Sequence, residues 1–250
     1  MSNVRFTSTK LNGTGKRGIL KPDANGYYEM VIGGLNAFNS AGEYYTLQGA
    51  QKLFEESSIF MRRVKNGCLK GEVGHPKKTP GMTNQDYVNR ILTIDEKNVC
   101  CHFKEVWLDP EFGKRNPSMG NTGLTAIMAL VKPAGPKGDS LQASLDNPDE
   151  NVCFSIRAFT IDQYVRGVNN RMLDSIICFD HVAEPGIAIA SKYSAPSLES
   201  LIDAGITEAQ LLRLINQDNG LICTEDSKEI AIEALKMFAT NSKPPVYTKW

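Results

Sequence analysis

The chain has 250 residues, with 28 Lys+Arg against 28 Asp+Glu, so its formal net charge is zero and neither a basic nucleic-acid footprint nor an acidic solvating tail is in view. Its 41% hydrophobic content is enough to bury a real core, in one large domain or two small ones. The N-terminal stretch has no apolar signal-type segment and no run approaches the ~18 apolar residues of a membrane span, which points away from secretion and membranes and toward six reduced cysteines, most of them in apolar runs.

No segment repeats at a fixed period. The opening is loop-rich, punctuated by Asn12, Gly13, Gly15 and Gly18. Gly13-Thr14-Gly15-Lys16 lacks the G-x-x-x-x-G-K-[ST] phosphate-loop spacing, and no G-x-G-x-x-G follows a strand. Tyr27 to Ile32 alternates as a strand that Gly33-Gly34 would end. Thr46 to Asn66 reads as helix, broken near Ser57-Ser58 and terminated at Gly67. Cys68 to Val73 is a short strand leading into Gly74-His75-Pro76. Arg90 to Asp95 and Val99 to Leu108 read as a hairpin turning at Glu96-Lys97-Asn98.

Pro110 to Gly123 is a polar excursion with the character of a mobile surface loop, and Leu124 to Val131 is an apolar run of strand length. Asp139 to Leu145 is a short helix with Asp139 or Ser140 as cap. Val152 to Thr160 and Met172 to Val182 alternate as strands. Ser197 to Asn216 and Asp226 to Thr240 are helical, with Thr207 and Gln210 as a capping box. A strand-rich centre with helices before and after it predicts an α+β fold built on a β-barrel or closed sheet, not a parallel α/β fold.

The chain has three histidines. His75 ends a strand between Gly74 and Pro76, a position where a general base can be displayed; the bland alternative is a surface turn residue. His102, in VCCHFKEVW, reads as a half-exposed strand residue. Cys100, Cys101 and His102 point alternately to opposite faces and lack a Cys-x-x-Cys partner, so no metal is expected. Asp180 and His181 are adjacent in ICFDHVAEP, so only one of them can face a given site. Asp180, among apolar neighbours, needs a partner, either a histidine or a structural cation. No G-x-S-x-G elbow exists. Ser155 lies within the strand NVCFSIRAF with Arg157 on the same face, a hydroxyl beside an anion-stabilising group or simply the polar face of a half-buried strand. Cys153 shares that face.

Taken together these segments resemble the prohead maturation proteases of T-even-like and giant tailed phages, a family related in fold to herpesvirus assemblin. The resemblance runs from about Asn36 to about Ala190. It is carried by Asn39 to Tyr45 (with Glu43 where the family has Arg), by Gly71-Glu72-Val73-Gly74-His75-Pro76 matching G-E-x-x-H-P, by Lys132 to Gly138, by Ser155-Ile156-Arg157 matching S-x-R, and by Phe179-Asp180-His181-Val182.

It implies a herpesvirus-protease-like barrel surrounded by helices, a serine endopeptidase with Ser155 as nucleophile and His75 as general base, and Asp180 as third member of the triad. Herpes-type relatives use a second histidine, which makes His181 the rival. Arg157 and nearby backbone N–H groups are the expected oxyanion donors. No cofactor is implied. The implied substrates are phage capsid, scaffold and internal head proteins, cut inside the prohead in the bacterial cytoplasm without direct nucleic-acid or membrane contact; a homo-oligomer is compatible with this.

The family cuts after Glu with a small or aliphatic residue two positions earlier, so Glu199 and Glu233 are candidate self-cleavage sites. They fall in a C-terminal helical extension, 196–250, beyond a protease domain of 1–195. The rival readings are a non-catalytic head or scaffold component that keeps the fold, and a cysteine hydrolase using Cys153 or Cys68.

Overall fold

The structure, a computed structural model, describes residues 18–196 and the backbone of 198–200. Contacts divide the chain into one unit of Lys16–Glu199 and another of Met1–Gly15 with Ser200–Trp250. The first unit is a mixed α+β body. Its first sheet orders Tyr28–Leu35 (β2), Thr125–Pro133 (β7), Val99–Asp109 (β6) and Lys70–Glu72 (β5), all antiparallel. Its second orders Ala37–Phe38 (β3), Tyr44–Tyr45 (β4), Val168–Val182 (β9) and Cys153–Val165 (β8), with β4 parallel to β9. Gly18–Leu20 (β1) pairs with Leu198–Ser200 (β10).

β2 and β7 are the most continuously buried strands, as covering on both faces requires, whereas β6 exposes Lys104 and Glu105. β8 and β9 form one long hairpin. Val165 pairs with Val168 across Arg166 and Gly167, whose φ angles of 52° and 82° suit the mirror-image turn that matches strand twist. Among the described residues four α-helices flank the sheets: Ile59–Lys65 (α1), Asn84–Leu92 (α2), Phe112–Arg115 (α3) and Gly138–Asp146 (α4). Ser58 caps α1 by accepting from Met61 N at 3.0 Å, and Phe60 and Val64 carry its buried face.

The expected barrel is not closed. The two sheets meet where β5 ends beside β9, through a single bridge between Val73 and His181 and a 2.6 Å hydrogen bond from Gly74 N to His181 O. Behind that junction lies an aromatic layer: Phe179 packs edge-on to Phe60 and tilted on Phe103, and Phe103 meets Phe154, with ring centroids 5.9–6.2 Å apart.

Several elements differ from the sequence reading. The stretch before Ser58 forms only a 3-10 turn at Ala50–Phe54. At the expected strand Arg90–Asp95 the chain instead ends α2 at Leu92, with Thr93 as its C-cap; the helix is started by a Thr83–Asp86 capping box. Gly33 and Gly34 lie within β2, not after it, because the strand passes close beneath the side chains of Ile127, Phe179, Ile187 and Ile189. The 110–123 excursion carries α3, whose Phe112 is buried. α4 begins one residue early and its N-cap, Lys137, makes no side-chain cap bond, so neither Asp139 nor Ser140 caps it. Leu198–Ser200 are strand where a helix was expected. The remaining C-terminal helices fall outside the described residues.

Gly71 marks the tightest point of the junction. A Cβ there would lie 2.3 Å from Phe179 O and 2.8 Å from Cys101 Sγ, and neither a backbone carbonyl nor a buried thiol can yield cheaply. Gly71→Ala is therefore expected to cost about 2–3 kcal/mol, measured as a lowered urea midpoint at unchanged m-value.

Candidate active site

In the β8–β9 ladder Ser155 pairs with Asp180 and Arg157 with Cys178. Opposed residues share a face, so the hydroxyl, the carboxylate and the guanidinium lie on one side of the hairpin, with Arg157 diagonal to Asp180. A bulge follows Arg157.

β5 and the turn after it bring the histidine. Gly74, at φ 72°, turns the chain so that His75 Nδ1 lies 2.7 Å from Asp180 Oδ2. An ionised carboxylate at that distance accepts from Nδ1–H and leaves Nε2 as the basic nitrogen. His75 and Ser155 line the same cavity, together with Ile32, Leu35, Tyr45 and Phe154. Gly186 closes over the hydroxyl: a Cβ there would lie 3.3 Å from Ser155 Oγ. Among the described residues Ser155 Oγ makes no hydrogen bond, to His75 or to any other group, and it lines the cavity.

Asp180 is fully buried and saturated. Its Oδ2 accepts from His75 and from Arg157 Nε at 2.8 Å; its Oδ1 accepts from an Arg157 terminal nitrogen at 2.6 Å, from Glu72 N at 3.2 Å and from Cys178 Sγ at 3.3 Å. Burial alone would raise its pKa, but His75 and Arg157 outweigh burial and hold it below the usual carboxylate range.

A scan of family models matches residues 6–243 to the peptidase S80 family. The chain belongs to that family. The match runs on to residue 243, beyond the motif blocks that carry the resemblance to prohead proteases. This S80 peptidase is also 37% identical over 207 residues to the capsid maturation protease of Pseudomonas phage phiKZ, covering 81% of this chain and 74% of that one. Among solved structures, that of the bacteriophage T4 capsid assembly protease matches with a TM-score of 0.43 and 14% identity over 66% of this chain and 88% of the other.

In this S80 peptidase Arg157 is engaged otherwise than expected, while His181, the rival to Asp180, takes the opposite face, as strand alternation requires. Arg157 was expected to serve an oxyanion. Its five N–H donors are instead committed to Asp180, to Glu72 at 3.0 Å and to the carbonyls of Ile91 and Thr93, and its side chain is only 4% exposed. Burial works against its charge, yet the bonds to Asp180 and the nearby carboxylates raise its pKa. His181 lies on the far side of the ladder, its ring 6.2 Å from Phe154, and burial lowers its pKa. It does not meet His75.

His102 is a half-exposed strand residue, as expected, held by Tyr27 OH and Gly67 O. Cys153 is buried and its thiol is pushed up to about 11 by burial and by Glu184, which makes it a poor nucleophile; Cys68 is exposed and bonds its own turn at Asn66 O. Among the described residues no group of three or more His, Cys, Asp or Glu could hold a metal, and no helix is long and apolar enough to cross a membrane.

The sequence reading missed Glu72 and Arg90. Glu72 is fully buried in β5, accepts from Asp95 N at 3.0 Å and Arg90 at 3.1 Å, and is paired a second time by the other terminal nitrogen of Arg90. Glu72 follows Gly71 directly in the G-E-x-x-H-P block, and an acidic residue inside the strand read at Cys68 to Val73 was the available signal.

Both carboxylates have lowered pKa values in the folded state, against burial that would raise them. Their stabilising contribution is thus complete above their unfolded pKa of about 4 and is lost as pH falls through the lower folded values. The thermal midpoint is expected to hold from neutral pH down to about 4 and then drop. Asp180→Ala, which strands a buried guanidinium, should cost about 3–5 kcal/mol in urea denaturation, against less than about 1 kcal/mol for Ser155→Ala.

Proposed function

We propose that this S80 peptidase is a serine endopeptidase that matures phage heads, cutting capsid, scaffold and internal head proteins inside the prohead in the host cytoplasm. The observation that carries the reading is the hydrogen bond between His75 Nδ1 and a buried, ionised Asp180, together with the one cavity that His75 and Ser155 both line. The names of the phiKZ relative and of the T4 protease point to the same biological role.

In the proposed mechanism Ser155 Oγ attacks the scissile carbonyl while His75 Nε2 removes its proton. The acyl-enzyme forms as His75 returns that proton to the leaving amine, and water then attacks by the same route in reverse. Asp180 fixes the imidazole tautomer and balances the imidazolium. The oxyanion falls to backbone N–H groups near Arg157, since the Arg157 side chain has no donor to spare.

The reading also holds that residues 196–250 form an extension removable by self-cleavage after Glu199 or Glu233. The peptide after Glu199 lies in β10, so its cleavage requires that strand to leave β1 first. Glu233 is outside the described residues. Mass spectrometry of the active chain against Ser155→Ala tests this: identical intact masses would remove the idea.

Ser155→Ala and His75→Ala are each expected to lower peptide cleavage by at least about a thousandfold while circular dichroism stays unchanged. His181→Ala should keep most activity. A dead His181→Ala beside an active Asp180→Asn would replace the proposed triad, and an active Ser155→Ala would end the serine reading altogether.

A further inference from the structure

We propose that Glu72 and Arg90 are positioning residues of this site, acting on His75 through Arg157 and Asp180; this rests on the reading of His75 as general base. The side chains form one continuous run of alternating charge. His75 meets Asp180, Asp180 meets Arg157, Arg157 meets Glu72 at 3.0 Å, and Glu72 meets Arg90. The first four come from the turn after β5, from β9, from β8 and from β5; the last comes from α2.

The arrangement poses an electrostatic problem. A guanidinium gripping both oxygens of Asp180 withdraws from His75 the negative charge that an imidazolium needs. Glu72 sits on the same guanidinium with no exposure to water, so it offsets Arg157 in the low-dielectric interior, where charges act at longer range than in solvent. Arg90, 25% exposed, restrains Glu72 from the solvent side. With a neutral imidazole the two carboxylates and the two guanidiniums cancel. Each proton taken up by His75 then adds one uncompensated charge, and the balance of Glu72 against Arg90 sets how that charge is received.

The other titratable or charged groups packed about this run are Cys178 on β9, against Asp180, and Asp95, beyond the end of α2, beside Arg90. Tyr45 faces the cavity from β4. None of these lies between Glu72 and Arg157.

A role as simple glue and a role in tuning the base make different forecasts, because the two residues carry opposite charge. The test uses the full-length chain with Ser155→Ala, which prevents self-digestion, and follows the His75 ring resonances by NMR across pH. Adding Glu72→Gln should move the His75 titration to lower pH by about one unit, since a net positive charge is left nearby. Adding Arg90→Gln should move it to higher pH, by less because Arg90 is nearer solvent, and the double variant should return it toward the starting position. In chains with Ser155 intact, Glu72→Gln should lower kcat/KM for casein about tenfold, with Glu72→Asp recovering part of the loss.

Shifts of the same sign in both single variants, or none above about 0.2 pH unit, overturn the proposal. Should Glu72→Gln fail to fold, Arg90→Gln alone decides, by an upward shift or its absence. If Ser155→Ala abolishes cleavage but neither charge variant moves the titration, this proposal falls and the peptidase reading stands. If the titration moves while Ser155→Ala still cleaves, the peptidase reading falls and takes the catalytic meaning of the coupling with it.

Discussion

A buried guanidinium persists in a protein only where every N–H meets an acceptor and its charge meets an opposite one. At Arg157 those demands are met by three separate parts of the chain: Asp180 from β9, Glu72 from β5, and the Ile91 and Thr93 carbonyls from the end of α2 and the residue beyond it. The residue is an organising centre for that reason. Each partner must arrive in register before desolvating the arginine becomes tolerable, so the strands that carry the hydroxyl, the carboxylate and the histidine are fixed to one another by a single side chain. Isolated buried ion pairs are weak evidence of stability, but removing one partner is expensive, and that asymmetry ties the fold to the site.

Behind this polar layer lies an apolar one with the same strand assignments. Phe154 precedes Ser155 and Phe179 precedes Asp180, and their rings stack with Phe103 on the opposite side of the ladder. Because side chains alternate with a period of two, a one-residue slip of β9 would bury Asp180 among phenylalanines and expose Phe179 to the charged side. The aromatic packing and the ion pairs enforce the same register independently. Gly71 completes the arrangement by letting β5 approach the Phe179 carbonyl closely enough for Glu72 N to reach Asp180.

Much of this was legible in the sequence because it follows period-two alternation. The strands β6 and β7 were readable from their own apolar runs, and the cores of β8 and β9, the face shared by Ser155 and Arg157, and the oddity of Asp180 in an apolar run from NVCFSIRAF and ICFDHV. The pairing of Arg157 with Asp180 was not, since a strand pattern states which face a residue occupies but not which cross-strand neighbour it meets. An arginine two residues from a serine suggests an oxyanion donor as readily as a carboxylate clamp. α2 was misread because Arg90 to Asp95 alternates like a strand, whereas the Thr83–Asp86 box, which starts the helix, lies upstream of that window. The open junction in place of a barrel depends on how strands from distant parts of the chain abut, and no local pattern records that.

α2 has no buried residue, and it is tied to the body by polar bonds: the ion pair of Arg90 with Glu72, Arg157 to Ile91 O, Lys78 to Asn84, and a 3.4 Å bond from Tyr87 OH to Pro76 O. A helix fastened by directional polar bonds, with Tyr87 and Ile91 only half-buried, should open more easily than the sheets, as hydrogen-exchange hierarchies generally show for elements poor in buried contacts. Such opening would take away two carbonyl acceptors of Arg157 and the cation beside Glu72 while the aromatic layer stayed intact. The molecule thus has a thermal weak point at its surface whose first casualty is the order of its most deeply buried charges.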